Sequence, residues 1–148
     1  MNVAEYLRDV TPQNVVQLIP PATLQHLLSG FSAAVGAGVA LIYPAAYPAK
    51  REDLRRLDGK NKEGSRATFR DLCRWWRDEG GCGQNQACRE ADDDEAMKYF
   101  RGSLRDPRVY RCSPLHLWDM TYPLVAGGRV VGVLFGGHLS QAQDDTSR

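Results

Sequence analysis

The strongest constraint on the fold is the stretch 117–135, which predicts two strands joined by a glycine turn. Apolar residues alternate with Asp119 and Thr121 in the first strand, and Gly127-Gly128 is typical of a tight hairpin. The second strand, 130–135, is apolar on both faces, so we expect it at the centre of a sheet with helices on one side. The residues expected to share the apolar face of the first strand are Trp118, Met120, Tyr122 and Leu124.

The rest of the chain predicts helices and two further strands. Leu24, Leu27, Leu28, Phe31 and Val35 fall at helical spacing, ended by glycine. Further helices are expected over 65–80 and 84–101, and strands over 39–43 and 109–112, whereas 45–64 is expected to be a loop, with one helical turn around 53–57. The predicted class is therefore α+β, with an antiparallel sheet flanked by helices.

The chain is expected to hold one folded domain. Residues 1–20 are interpreted as a helical lead-in, 21–140 as the domain, and 141–148 as a polar tail or the start of a linker. Because this tail follows a core strand directly, we expect the domain to be part of a longer protein.

Charge and hydropathy restrict the partners and the compartment. Nineteen Lys and Arg against 18 Asp and Glu give a net charge of +1, which disfavours direct nucleic-acid binding and attraction to anionic membranes. The uncharged stretch Leu27–Ala49 is long enough to span a bilayer, but five glycines and prolines interrupt it. The N-terminus carries no secretory pattern. A cytoplasmic protein with reduced cysteines is expected.

The sequence contains no established catalytic motif. It has no G-x-S-x-G elbow, no P-loop and no H-E-x-x-H, and its glycine-rich segment 30–38 precedes a strand instead of following one. The adjacent acids Asp92, Asp93 and Asp94 are interpreted as a solvated helix face. No enzymatic activity is expected.

The four cysteines are the most reactive groups in the sequence: Cys73, Cys82, Cys88 and Cys112. No C-x-x-C pair is present, so three alternatives stay open: separate thiols, a shared metal or cluster, and a disulfide. Cys73 lies on an apolar helix face, as a buried thiol would. Cys82 lies in a glycine turn, where a metal ligand or reactive thiol is more plausible than a core residue. Cys88 lies near a predicted helix N-terminus, which favours the thiolate.

Two histidines and one tryptophan complete the candidate site. His116 shares the predicted apolar face with Trp118, and His138 follows Gly136-Gly137 at a strand end. Both histidines are candidates for a ligand role or for ordinary hydrogen-bonded residues. Trp118 is interpreted as an aromatic wall beside these glycines, which predict a close backbone approach or a bulge.

A series of motifs in fixed order resembles the PocR sensory domain. The motifs are Leu72-Cys73, Cys88, Tyr110-Arg111-Cys112, Tyr122-Pro123-Leu124-Val125 with Gly127-Gly128, and Val131-Gly132-Val133-Leu134-Phe135-Gly136-Gly137-His138. The helix and strand between Leu24 and Ile42 are also similar, so the resemblance spans about residues 22–140. It differs in having no His directly after Cys112, His138 in place of a Gln, and Cys82 as an extra cysteine.

The resemblance implies a PAS-like bacterial signalling domain that senses a small molecule. Members of the family precede kinases, cyclases or DNA-binding modules, and their cysteines lie in or near the site. Carried over by position, Cys73, Cys88 and Cys112 match the family cysteines. The departures imply a changed ligand. A homodimer is also expected, with the helix at 24–35 either in the dimer interface or in the core.

Three hypotheses follow for the function. The first is a sensory domain that binds a small molecule near Cys73, Cys88, Cys112, Trp118, His116 and His138. The second is a metal or iron–sulfur redox sensor, in which the four cysteines hold zinc or a cluster. The third is a thiol-dependent enzyme with Cys88 as nucleophile and a histidine as base.

Overall fold

The computed structural model describes residues 11–35, 37–59, 84–112 and 117–139. Within these ranges the chain forms two α-helices and five strands, with short 3₁₀ turns at Val15–Gln17 and Arg51–Asp53. In chain order the elements are α1 Pro21–Val35, β1 Gly38–Pro44, β2 Leu54–Asp58, α2 Gln84–Phe100, β3 Arg108–Arg111, β4 Trp118–Ala126 and β5 Arg129–Leu139. The helix predicted over 65–80 lies outside the described residues.

The five strands form one antiparallel sheet in the order β2-β1-β5-β4-β3. The central position of β5 confirms the prediction from its two apolar faces. Gly127 and Gly128 have φ of 58° and 77°, which is the type I′ geometry that matches the twist of the flanking strands. The predicted α+β class is confirmed, and the arrangement is that of a PAS-like sheet.

Each helix covers one side of the sheet. On one side α1 packs through Leu24 and Leu28 against Val39, Leu41 and Val131. On the other side α2 packs against the alternate residues of the same strands, and the buried residues there are Ala40, Ile42, Val133, Phe135, Ala96, Met97, Tyr99 and Phe100. Strands β1 and β5 are buried on both faces, so the core has one layer on each side of the sheet. Any site on the α2 side therefore lies between that helix and the sheet.

Helix α1 buries only part of its apolar surface within the described chain. Leu24, Leu28 and Ser32 are buried at i, i+4 and i+8, whereas Leu27, Phe31 and Val35 are about half exposed. The predicted helix is confirmed, but its apolar face is wider than the part of that face that packs against the described sheet. No helix among the described residues is long and apolar enough to cross a membrane.

Strand β2 corrects the prediction of a loop over 45–64. Residues 54–58 pair with β1 in regular register, from Ala40 opposite Asp58 to Pro44 opposite Leu54. The sequence Leu-Arg-Arg-Leu-Asp lacks the apolar pattern of a buried strand, because this strand lies at the edge of the sheet, where charged side chains are favoured. The helical turn lies at 51–53 instead of 53–57.

Strand β4 corrects the prediction of which face is buried. Asp119 and Thr121 are buried at 5% and 1% exposure, whereas Met120 and Tyr122 are 49% and 57% exposed. The alternation itself is confirmed. Polar residues occupy the inner face because α2 offers them partners: the Thr121 and Tyr99 hydroxyls lie 2.7 Å apart.

Candidate functional site

A cluster of buried polar side chains lies between α2 and the end of the sheet that carries Gly136 and Gly137. The cluster comprises Arg56, Asp58, Asp92, Tyr110 and Asp119. They come from β2, α2, β3 and β4, so only the folded chain brings them together. We call these five residues the polar cluster.

Gly137 makes room for the carboxylate of Asp119. The two residues are opposite each other in the β4–β5 pairing, and the register shifts beside them, between Trp118 and Asp119. Gly137 has φ +154°, and a Cβ there would lie 2.5 Å from Asp119 Oδ1 and 2.8 Å from the Trp118 carbonyl oxygen. The close approach and the irregularity predicted for the glycine pair are therefore both present.

Arg56 is held by two carboxylates from different elements. Its Nη1 lies 2.7 Å from Asp92 Oδ2, and its Nε lies 2.8 Å from Asp58 Oδ1. The three side chains are 18%, 9% and 13% exposed. Burial opposes the charge of Arg56, but the carboxylates of Asp92 and Asp58 outweigh it and raise its pKa. This ion pair connects the edge strand to α2.

Asp92 corrects the interpretation of the acidic run as a solvated face. Asp94 is exposed and pairs with Arg51 at 3.1 Å, but Asp92 is 6% exposed and faces the sheet. It shares one side of α2 with Cys88 and Glu95, at helical spacing. Three adjacent acids point in different directions on a helix, and the first of them points inward.

Glu95 attaches the same side of α2 to β3. It is 4% exposed, and its carboxylate lies 3.2 Å from Arg108 Nε and 2.7 Å from Lys98 Nζ. The helix is therefore linked to one sheet edge by Arg56–Asp92 and to the other by Arg108–Glu95. Ligand-induced movement of α2 would have to strain one of these pairs.

The Tyr110 hydroxyl is the unsatisfied group of the cluster. It is buried and has no hydrogen-bond partner among the described residues. Burial, followed by the charges of Asp119 and Asp92, raises the Tyr110 pKa, so the phenol keeps its proton. A buried hydroxyl that lacks a partner is costly, and it is available to donate to an acceptor on a bound molecule.

A small cavity is lined by three members of this cluster, Arg56, Asp92 and Asp119, but not by Asp58 or Tyr110. It has a volume of about 10 Å³, which is room for one water molecule. Its lining includes Arg56, Asp92, Asp119, Phe135 and the backbone of Gly137. A molecule larger than water therefore has to displace one of the walls. The strands are held by the hydrogen bonds of the sheet, whereas α2 packs on the sheet through its side chains.

Two of the four cysteines lie in the described chain, and both are buried. Cys88 is one turn before Asp92 on α2, and Cys112 follows β3, where its amide donates to the Leu117 carbonyl oxygen at 2.9 Å. Cys112 is close enough to contribute to the raised pKa of Tyr110. Both thiols thus belong to the elements that build the polar cluster.

The other predicted ligands are placed as follows. Cys73, Cys82 and His116 lie outside the described residues, and the described chain holds no group of three or more His, Cys, Asp or Glu that fits a metal ion. His138 follows Gly137 in β5. Trp118 is half-buried with the Arg111 guanidinium 4.7 Å from its ring centre, and it does not line the cavity. The four-cysteine metal site and the aromatic wall stay predictions.

Sequence reasoning missed the charged members of the cluster. Arg56 was assigned to a loop, Asp92 to a solvated face, and Asp119 to the outer side of β4. One signal was available for Asp92, because it follows Cys88 by four residues and so lies on the same side of the helix as a candidate site residue. For Arg56 no local signal exists, since its partner Asp92 is 36 residues away.

Comparison with known families gives one match. A family model described as the sensory domain found in PocR matches residues 17–147, nearly the whole chain. No curated protein and no solved structure matches the chain.

Proposed function

The chain belongs to the family of sensory domains found in PocR, and on that premise we propose that it senses a small uncharged molecule bearing hydroxyl groups. The polar cluster is the proposed binding site. The observation that carries the proposal is the buried Tyr110 hydroxyl, which lacks a hydrogen-bond partner among the described residues while it lies near Asp119 and Asp92.

The charges of the cluster favour a neutral ligand. Among the described residues, the cavity is lined by the carboxylates of Asp92 and Asp119 and by the guanidinium of Arg56, which also pairs with Asp58. An anion that enters this poorly solvated site would lie against carboxylates and compete with them for Arg56. A ligand hydroxyl can donate to Asp92 or Asp119, and it can accept from the Tyr110 hydroxyl once binding has moved the atoms that bury that hydroxyl.

The small size of the cavity links ligand binding to a structural change that can serve as the signal. Because about 10 Å³ admits only water, a larger ligand has to move α2 away from the sheet. That movement strains the Arg56–Asp92 pair, which joins α2 to β2. A displaced helix is a change that an output domain can detect, and we propose a kinase, cyclase or DNA-binding output in the full-length protein. We further propose that the cysteines Cys73, Cys88 and Cys112 lie in or near the site.

The first test is the native mass and metal content of the chain, purified without oxygen and without chelator. We expect the mass of the folded chain to exceed the sequence mass by that of one small organic molecule, released on unfolding. About one zinc per chain, or several irons with sulfide, would instead favour the four-cysteine sensor. In that case Cys82→Ser would abolish metal retention, whereas it would leave an organic ligand bound.

The second test is Tyr110→Phe, which removes the hydroxyl and keeps the ring. We expect an unchanged or slightly higher free energy of unfolding in urea, because the variant loses a buried group that lacks a partner. Binding of short-chain alcohols, diols and polyols, followed by amide resonances of the sheet, should weaken about tenfold, the value of one hydrogen bond.

Tyr99→Phe is the matched control for this variant. The Tyr99 hydroxyl is 2.9 Å from the Asp106 carbonyl oxygen and 2.7 Å from the Thr121 hydroxyl, so its loss should lower the free energy of unfolding by about 1–2 kcal/mol. If Tyr110→Phe destabilises the chain as much as Tyr99→Phe and leaves binding unchanged, the hydroxyl is structural and the proposed site is wrong.

A further inference from the structure

A second cavity lies at the other end of α2, away from the polar cluster. It has a volume of about 450 Å³, which is in the range of small-molecule sites. The C-terminal end of α2, the segment that follows it and the β4–β5 turn enclose it. Its apolar walls include Tyr47, Phe100 and Val130.

Three arginines line this cavity: Arg101, Arg105 and Arg129. Of the described residues in the lining, none is acidic. Asp106 is near enough to Tyr99 to affect its pKa, but it is not part of the lining. The cavity therefore combines apolar walls with a concentration of positive charge, the reverse of the polar cluster.

Arg129 distinguishes this cavity from an ordinary solvated surface. Its Nη1 is buried and has no hydrogen-bond partner among the described residues, and its guanidinium lies 4.6 Å from the centre of the Tyr47 ring. The Tyr47 hydroxyl is occupied, because it donates to the Val130 carbonyl oxygen. A buried guanidinium nitrogen without an acceptor is costly, and a turn of the Arg129 side chain that brings Nη1 to a ligand in the cavity would relieve that cost. Arg101 and Arg105 alone, both exposed, would carry no such implication.

We propose that this cavity binds a small carboxylate with an apolar body. Guanidinium groups pair with carboxylates through two parallel hydrogen bonds, and Arg101, Arg105 and Arg129 all line this cavity. The aromatic and aliphatic walls suit the apolar part of such a ligand, which a bare inorganic anion lacks. The site is separate from the polar cluster, so the domain has a second ligand of opposite chemistry.

Calorimetric titration of the chain with benzoate tests the proposal, with benzamide as the uncharged isostere and inorganic phosphate as the second oxyanion. We expect saturable binding of benzoate, at least tenfold tighter than binding of benzamide or phosphate. The double variant R101Q/R105Q should weaken benzoate binding about tenfold or more, because it removes two of three guanidiniums.

Arg89→Gln is the control, since Arg89 is exposed on α2 but does not line this cavity, whereas Arg101 and Arg105 follow the end of that helix. It should change the benzoate affinity less than twofold. Thermal unfolding of each variant verifies that it is folded. Absence of benzoate binding, equal binding of benzamide, equal binding of phosphate, or equal loss in R89Q and R101Q/R105Q would each overturn the proposal.

Discussion

Replacement of Gly137 by alanine should lower the free energy of unfolding by about 3 kcal/mol, the combined cost of backbone strain and overpacking. A Cβ at this position would lie 2.5 Å from Asp119 Oδ1, 2.7 Å from Asp119 Cα and 2.8 Å from the Trp118 carbonyl oxygen. Two of these three atoms are backbone, so no rotamer change relieves the contact. The φ of +154° adds strain for any residue with a side chain.

Gly136→Ala is the control for this variant, because it makes the same change one residue earlier in the same strand. A Cβ at Gly136 would lie 3.5 Å from the flexible Met120 side chain and 3.8 Å from the Gly38 carbonyl oxygen, and both are ordinary contacts. We expect a change of about 1 kcal/mol or less in urea unfolding. Equal stability losses in the two variants would mean that β5 tolerates no side chain at this end, and that the approach of Asp119 is not the cause.

The predictable parts of the fold are those with a local signal. Helix α1 and the central strand β5 were predicted because periodicity and two-sided hydrophobicity are properties of contiguous sequence. The Gly127-Gly128 turn was predicted because type I′ geometry requires φ above zero at both positions. The bounds of these elements in the structure differ from the predicted ones by only a few residues.

The parts that were mispredicted depend on distant partners. Alternation in β4 defines two faces, but the choice of the buried face depends on α2, where Tyr99 provides a hydroxyl for Thr121. Asp119 is accommodated because Gly137, in another strand, lacks a side chain. A polar residue in an amphipathic strand is assigned to solvent by default, and a buried polar site is the case in which this default is wrong.

The sequence drew attention to residues around the polar cluster but not to the charged members of the cluster. The sequence pointed to Cys88, Cys112 and the glycine pair, and these belong to the elements around the polar cluster. Arg56 and Asp92 went unrecognised because a buried ion pair leaves no periodic pattern in either segment. Such pairs become visible only when β2 and α2 are placed side by side.

Replacement of Arg56 by methionine is expected to lower the free energy of unfolding by about 3 kcal/mol, the cost of leaving buried carboxylates without their counter-ion. Methionine keeps most of the apolar stem, so the change removes chiefly the charge. Asp92 and Asp58 then share a site without the Arg56 guanidinium between them. The expected stability loss is at the lower end of the range for breaking a buried ion pair, because the Arg56 side chain retains 18% exposure.

Arg55→Met provides the control, since Arg55 is the preceding residue of β2 and is exposed. Its replacement should alter the free energy of unfolding by no more than about 0.5 kcal/mol, as for other surface positions. A comparable loss of stability in both variants would indicate that methionine is unfavourable in this edge strand. The loss in Arg56→Met could then not be attributed to the ion pair.

Hydrogen exchange of Arg56→Met separates a local role of the ion pair from a global one. If Arg56–Asp92 fastens α2 to β2, exchange at amides of these two elements should accelerate by more than the loss of global stability accounts for, while β3, β4 and β5 accelerate only by that common factor. That pattern identifies α2 as the element that a ligand in the polar cluster would detach from β2. Uniform acceleration over all five strands would mean that the pair stabilises the whole domain, and the proposed route from binding to helix movement would then be wrong.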